Sequence, residues 1–174
     1  MSGPPVVEIR VAAGPWRAQL PGFDAFIRDS AISAWRAGGG RGAVEISVLL
    51  ADDETVRALN ARHRGRDNAT NVLSFPAAVS ADAPDPALPG PMLLGDVVLA
   101  CETVAAEARA QDKAMADHVR HLVVHGVLHL LGYDHEDDAA AEVMERLEAE
   151  ILKGFGVADP YEPTPPAVAI RETG

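Results

Sequence analysis

Residues 125–135 read His-Gly-Val-Leu-His-Leu-Leu-Gly-Tyr-Asp-His, and no other segment constrains the fold as much. His125 and His129 are four apart. On a helix they leave one face, one turn apart, and their imidazoles can share an ion. Gly132 follows three residues later. Glycine ends helices in a left-handed conformation, after which the chain can turn back and bring His135 to the same point. The expected helix runs from about Ala114 to Leu131. Three neutral imidazoles suit Zn²⁺ and leave a fourth tetrahedral position open, the layout of a catalytic site and not of a closed structural one. One zinc per chain, on His125, His129 and His135, is the expectation.

Two competitors weaken on inspection. His121 lies four before His125 and could complete a helical array, but that would exclude His135 and leave the Gly132 turn without a purpose. The spacing also matches the metzincin proteases, which need a glutamate directly after the first histidine as general base. Here that position is Gly126, which accepts no proton, so a peptidase is rejected. His118 reads as a surface or core histidine of the same helix.

Around this segment the chain organises as strands early and helices late. Strands are expected at Val6–Ala12, Val44–Leu50, Val72–Phe75 (stopped by Pro76) and Gly95–Ala100. Helices are expected at Phe23–Trp35, from Asp53 to about Arg62, Glu102–Gln111, Ala114–Leu131 and Asp137–Lys153. The fold class is therefore α+β: a small mixed four-stranded sheet packed with about five helices, the zinc site lying on a helix of the C-terminal half and the turn after it. Two strand–helix–strand units make part of that sheet parallel. Ala77–Pro91 holds four prolines and is a candidate flap. Residues 1–158 read as one domain, and 159–174, with four prolines, as a disordered tail.

Composition narrows the function classes. A single cysteine, Cys101, excludes an internal disulfide and a cysteine zinc ribbon, and its apolar setting reads as core. No uncharged apolar run approaches the ~18 residues of a membrane span, and residues 1–14 carry no signal pattern, so the expected compartment is the cytoplasm. The net charge of −11 argues against a whole-surface nucleic-acid binder but not against a local basic cleft. Arg57, Arg62, Arg64 and Arg66 cluster within ten positions and could bind phosphate, or could form a solvated helix end. Asp134–Glu150 reads as the solvated face of the last helix, with Val143, Met144, Leu147 and Ile151 turned to the core.

Three segments together resemble a known family, the bacterial YbeY-type single-strand-specific metallo-endoribonucleases. They are Arg64-Gly65-Arg66-Asp67 with Thr70-Asn71-Val72-Leu73-Ser74-Phe75-Pro76, then Leu94-Gly95-Asp96, then the histidine segment. Asp159-Pro160-Tyr161 is a weaker echo, and the resemblance covers about Asn60 to Tyr161. His63 stands where the family often has tyrosine, Ala69 where it often has proline, and the loop at 77–91 is longer than usual. The resemblance implies zinc on His125, His129 and His135, with Arg64 a functional residue beside the metal. It also implies a role in 3′-end maturation of small-subunit (16S) rRNA and in ribosome quality control. RNA or its precursor, and the ribosome or small-subunit proteins, are the implied partners, with no membrane.

The chemistry expected is metal-assisted cleavage of a phosphodiester in single-stranded RNA. Arg64 would stabilise charge developing in the transition state. Arg57, Arg62 and Arg66 are candidates for RNA binding, and Asp96 and Asp134 for orienting a histidine from behind the metal. No general base is evident, so water and the ribose 2′-hydroxyl both stand as the attacking group. The rival from another class is a non-catalytic, zinc-stabilised ribosome-assembly factor, which the acidic net charge favours. A metallohydrolase of another ester or amide is a third reading.

Overall fold

The computed structural model describes residues 3–77 and 91–162. Its elements, in order, are β1 (Val6–Val11), α1 (Trp16–Gln19), α2 (Phe23–Ala37), β2 (Val44–Ala51), α3 (Asp53–Arg64), β3 (Val72–Pro76), β4 (Met92–Ala100), α4 (Cys101–Ala110), α5 (Met115–Leu130) and α6 (Asp138–Gly154). The candidate flap, apart from Ala77 and Pro91, and the tail from residue 163 onward lie outside the described residues. No helix among the described residues is long and apolar enough to cross a membrane.

The strands form one sheet in the order β1-β2-β4-β3. β1 and β4 run parallel to β2, and β3 runs antiparallel to β4. Strand side chains alternate between faces, and the two faces here have separate cores. Val44, Ile46, Val48, Leu50, Val97 and Leu99 enter the larger core with α2, α4, α5 and α6. Val98, Ala100 and Leu73 point the other way and pack with Val56 of α3. The α+β class and the mixed four-stranded sheet are as the sequence predicts.

The differences have local causes. There are six helices among the described residues, not five. The extra one, α1, is too short for periodicity to reveal, yet it buries Trp16 completely and aims its Nε1 at the Ala51 carbonyl, 2.9 Å away. β4 begins at Met92 instead of Gly95, because a register shift between Glu45 and Ile46 skips Leu94 as a bulge. β3 runs through Pro76 instead of stopping before it. Ala100 N donates to Asn71 O (3.0 Å) and Ala77 N to Leu94 O (3.0 Å). Residues 71, 73, 75 and 77 therefore face β4, while 72, 74 and 76 turn their backbone groups to the open edge. A proline at an outward position loses no ladder bond.

Capping sets the helix ends. The Asp52 carboxylate accepts from Thr55 N (2.8 Å) at the start of α3, and that of Asp137 accepts from Ala140 N (2.7 Å) at the start of α6. α6 is rotated relative to expectation. Met144, Glu148, Ile151 and Leu152 are buried, whereas Val143 is 58% exposed. Cys101 is buried at the start of α4, and burial together with Glu102 and Asp53 pushes its thiol up to about 11, so it is inert core. His118 is only 4% exposed, and its Nε2 lies 2.7 Å from a Glu107 carboxylate oxygen. Burial lowers its pKa despite that carboxylate, so the neutral ring donates to Glu107, as befits a core histidine.

α5 lies directly on β3 and β4. A side chain at Gly126 would meet Val97 Cγ1 at 2.8 Å and Ser74 Oγ at 3.1 Å. The Gly126→Val variant should therefore lose about 1–3 kcal/mol by overpacking. A lower urea midpoint with an unchanged denaturant slope is the expected result, and wild-type stability would show that the helix has room to lift.

Candidate metal centre

α5 presents His125 and His129 from one face, as their spacing predicts. Leu131 caps the helix and Gly132 follows with φ 98°. Gly132 N donates to His129 O (3.0 Å) and Tyr133 N to Leu128 O (3.1 Å), which folds the chain back over the last turn. His135 arrives beside the other two rings, its centroid 5.6 Å from that of His125 and 5.0 Å from that of His129. One ligand nitrogen from each of the three lies within 4.8 Å of the others. His125 Nε2 and His129 Nε2 are 3.0 Å apart, close to the roughly 3.3 Å that separates two nitrogens on a tetrahedral zinc. The donor set and its spacing thus fit a metal ion. Burial, followed by the facing rings of His125 and His135, lowers the pKa of His129 and keeps it in the neutral form that a metal requires.

His121 does not complete a helical array. It belongs instead to a second group with His125 and Glu148. In that group His125 Nδ1 and a Glu148 oxygen are already in direct hydrogen-bond contact, which leaves no room for an ion between them. Glu148 is 0% exposed. Burial alone would raise the pKa of its carboxyl. The neighbouring His121, His125 and Tyr161 side chains outweigh burial and hold it at about 2.

Glu148 is the residue that the sequence reading passes over, since it counts there among the solvated acids of the last helix. Its signal was the glutamate at an inward position of α6, four residues after Met144 and three before Ile151. The candidates proposed for that orienting role lie elsewhere. Asp134 accepts from Glu136 N (3.2 Å) as a turn residue. Asp96 sits within β4 opposite Phe75. Neither hydrogen-bonds a histidine among the described residues.

The three histidines line a cleft of about 380 Å³ together with Arg64, Thr70, Asn71, Val72, Ser74 and Pro76. Arg64 is the last residue of α3, and its Nη2 donates to the outward Ser74 carbonyl at 3.1 Å. That contact hangs the guanidinium on the open sheet edge, beside the imidazoles. The other arginines of the cluster do not line the cleft. Arg57 is engaged by Asp67, with Nε–Oδ1 at 2.7 Å and Nη2–Oδ2 at 3.0 Å. Arg62 and Arg66 are exposed around the end of α3. His63 packs its ring 5.2 Å from that of Phe75. Gly126 faces Val97 and Ser74, so a base at that position would enter the sheet and not the cleft.

Residues 24–156 match the family model described as Endoribonuclease YbeY. A protein named Endoribonuclease YbeY from Rhodospirillum rubrum is 53% identical over 157 residues, covering 86% of this chain and 78% of the relative. Another of that name, from Paramagnetospirillum magneticum, is 50% identical over 157 residues, covering 89% of this chain and 94% of the relative. The solution structure of TM1509 from Thermotoga maritima shares the fold, with a TM-score of 0.50 at 22% identity over 93% of this chain and 99% of that one. A family model spanning most of the chain, and relatives identical at about half their aligned positions, lead to one assignment: the chain belongs to the YbeY endoribonuclease family.

Proposed function

We propose that this protein is a zinc-dependent endoribonuclease of the cytoplasm that cuts single-stranded RNA, in 3′-end maturation of small-subunit rRNA and in ribosome quality control. The observation that carries the reading is the convergence of three imidazoles and one guanidinium on a single open cleft. The relatives named Endoribonuclease YbeY supply the substrate class. The ribosomal role follows from the family resemblance, and small-subunit components are the proposed partners.

Bound zinc would supply Lewis acidity toward a phosphoryl oxygen, and hydroxide at neutral pH. His125, His129 and His135 would hold it. Arg64 meets the charge that builds on the phosphoryl oxygens, and its contact with Ser74 O keeps its fork in place before substrate arrives. The cleft lining contains no carboxylate among the described residues, so a protein base is not at hand there. The nucleophile is then water or the ribose 2′-hydroxyl. Thr70, Asn71 and Ser74 add polar groups to the cleft. Of these, Asn71 is occupied, its amide donating to Glu107 (3.0 Å) and its Oδ1 accepting from Val72 N (2.7 Å).

Elemental analysis should find about one zinc per chain, lost in His125→Ala, His129→Ala and His135→Ala but kept in His118→Ala. Full metal retention in any of the first three would remove that residue from the site. Arg64→Ala should keep zinc and fold while losing about 100-fold or more in cleavage rate, and Arg64→Lys should recover little of it. Normal turnover in the alanine variant would return Arg64 to the solvated surface.

Labelled single strands should be cut in preference to duplex, because a flexible strand bends its phosphodiester into a cleft more readily than a duplex does. Binding should weaken with salt. Deoxyribose placed 5′ of the scissile phosphate separates the nucleophiles: retained cleavage assigns attack to water, and lost cleavage with unchanged binding assigns it to the 2′-hydroxyl. If fully metallated protein cuts no RNA, small-subunit precursor included, the assembly-factor reading replaces this one.

A further inference from the structure

The last described residues do not behave as a tail. Asp159 Oδ1 accepts from Tyr161 N at 2.8 Å, closing a turn after α6 that returns the chain to α5. The Tyr161 hydroxyl reaches the second oxygen of Glu148, whose first oxygen is held by His125. His121 Nε2 stands 3.3 Å from the same hydroxyl and 3.7 Å from that second oxygen. The ring of Tyr161 meets that of His121 edge-on at 5.6 Å.

A phenol O–H and an imidazole N–H each have a proton to give, and one Glu148 oxygen faces each of them. His125 donates Nδ1–H, and its Nε2 is left with a lone pair on the cleft side. Tyr161 donates O–H. Its oxygen can then accept Nε2–H from His121, whose Nδ1 is buried and has no hydrogen-bond partner among the described residues.

From this geometry we infer that Tyr161 is a positioning residue of the metal site. Through Glu148 it sets the tautomer and ring orientation of His125, and the Asp159-Pro160-Tyr161 turn is thereby part of the site. The inference rests on the metal reading above. Tyr161 touches neither substrate nor ion, and acts only by holding both oxygens of Glu148 in register with His125. Without the hydroxyl, Glu148 has a buried oxygen with one weaker neighbour, and the carboxylate can rotate. The ring of His125 then loses its single orientation.

The test compares wild-type full-length protein with Tyr161→Phe and Glu148→Ala by zinc competition against a chromogenic chelator. Thermal unfolding of the metal-free proteins runs alongside. Outer partners of ligating histidines typically govern about 10–100-fold in metal affinity. Tyr161→Phe should lose affinity toward the lower end of that range, while the metal-free fold still unfolds cooperatively with a midpoint only about a few degrees lower, since the ring and its packing stay and one hydrogen bond is lost. Glu148→Ala should lose more. The cobalt-substituted Tyr161→Phe protein should show altered visible absorption, a change that a purely structural role would not produce. Wild-type zinc affinity and cobalt spectrum in Tyr161→Phe would overturn the inference even if Glu148→Ala fails to fold. Wild-type protein that binds no zinc would instead overturn the metal reading itself, so the two failures are distinct.

Discussion

Ser74 makes two hydrogen bonds on which the geometry of the site depends. Its hydroxyl donates to the Gly126 carbonyl on α5 at 3.1 Å, and its own carbonyl accepts from Arg64 at 3.1 Å. One residue on a five-residue edge strand thus spaces the imidazole helix from the guanidinium. Two further constraints make this arrangement available. Gly126 has no side chain, so α5 can lie against Val97 and Ser74. The register of β3 against β4 turns the Ser74 carbonyl outward. Single hydrogen bonds of this kind contribute only about 0.5–1.5 kcal/mol to net stability. In the proposed mechanism their importance is positional, because transition-state stabilisation depends on charge being in place beforehand.

The acidic character of the chain is handled by pairing. Glu148 lies behind His125, away from the cleft lining, with its oxygens shared among His125, Tyr161 and His121. Glu107 is bonded by His118 and Asn71. Asp67 takes Arg57. A cleft of imidazoles and one guanidinium is left in a protein of net charge −11. Local attraction for a phosphate therefore works against long-range repulsion, a balance that salt shifts readily.

How much was legible in the sequence follows from range. His125, His129, Gly132 and His135 lie within eleven residues, and helix pitch plus a left-handed glycine relates them with no help from the rest of the chain. The strand pattern and the helix caps at Asp52 and Asp137 are equally local. α6 shows where such reasoning stops. Hydrophobicity alone places Val143 inside and Glu148 outside, yet Val143 is exposed and Glu148 buried. Burying a carboxylate is unfavourable unless donors meet it, and the donors come from α5 and from residue 161. Arg64 stood out by resemblance. That Arg57, seven residues earlier, is held away by Asp67 needed the packed end of α3.

By itself, then, the sequence determined the local geometry: which segments become strands and helices, the short α1 excepted, that the sheet is small and mixed, and that three histidines share one helix end and its turn. Backbone periodicity and glycine stereochemistry act over a few residues, and they are written directly in the order of side chains. Only the tertiary structure decided what surrounds those histidines. Ser74 is 52 residues from Gly126, Glu148 is 23 from His125, and Tyr161 is 40 from His121. Partners so far apart meet only because burial of two apolar cores forces the elements into one register, and polar groups carried inside by that burial must then find each other.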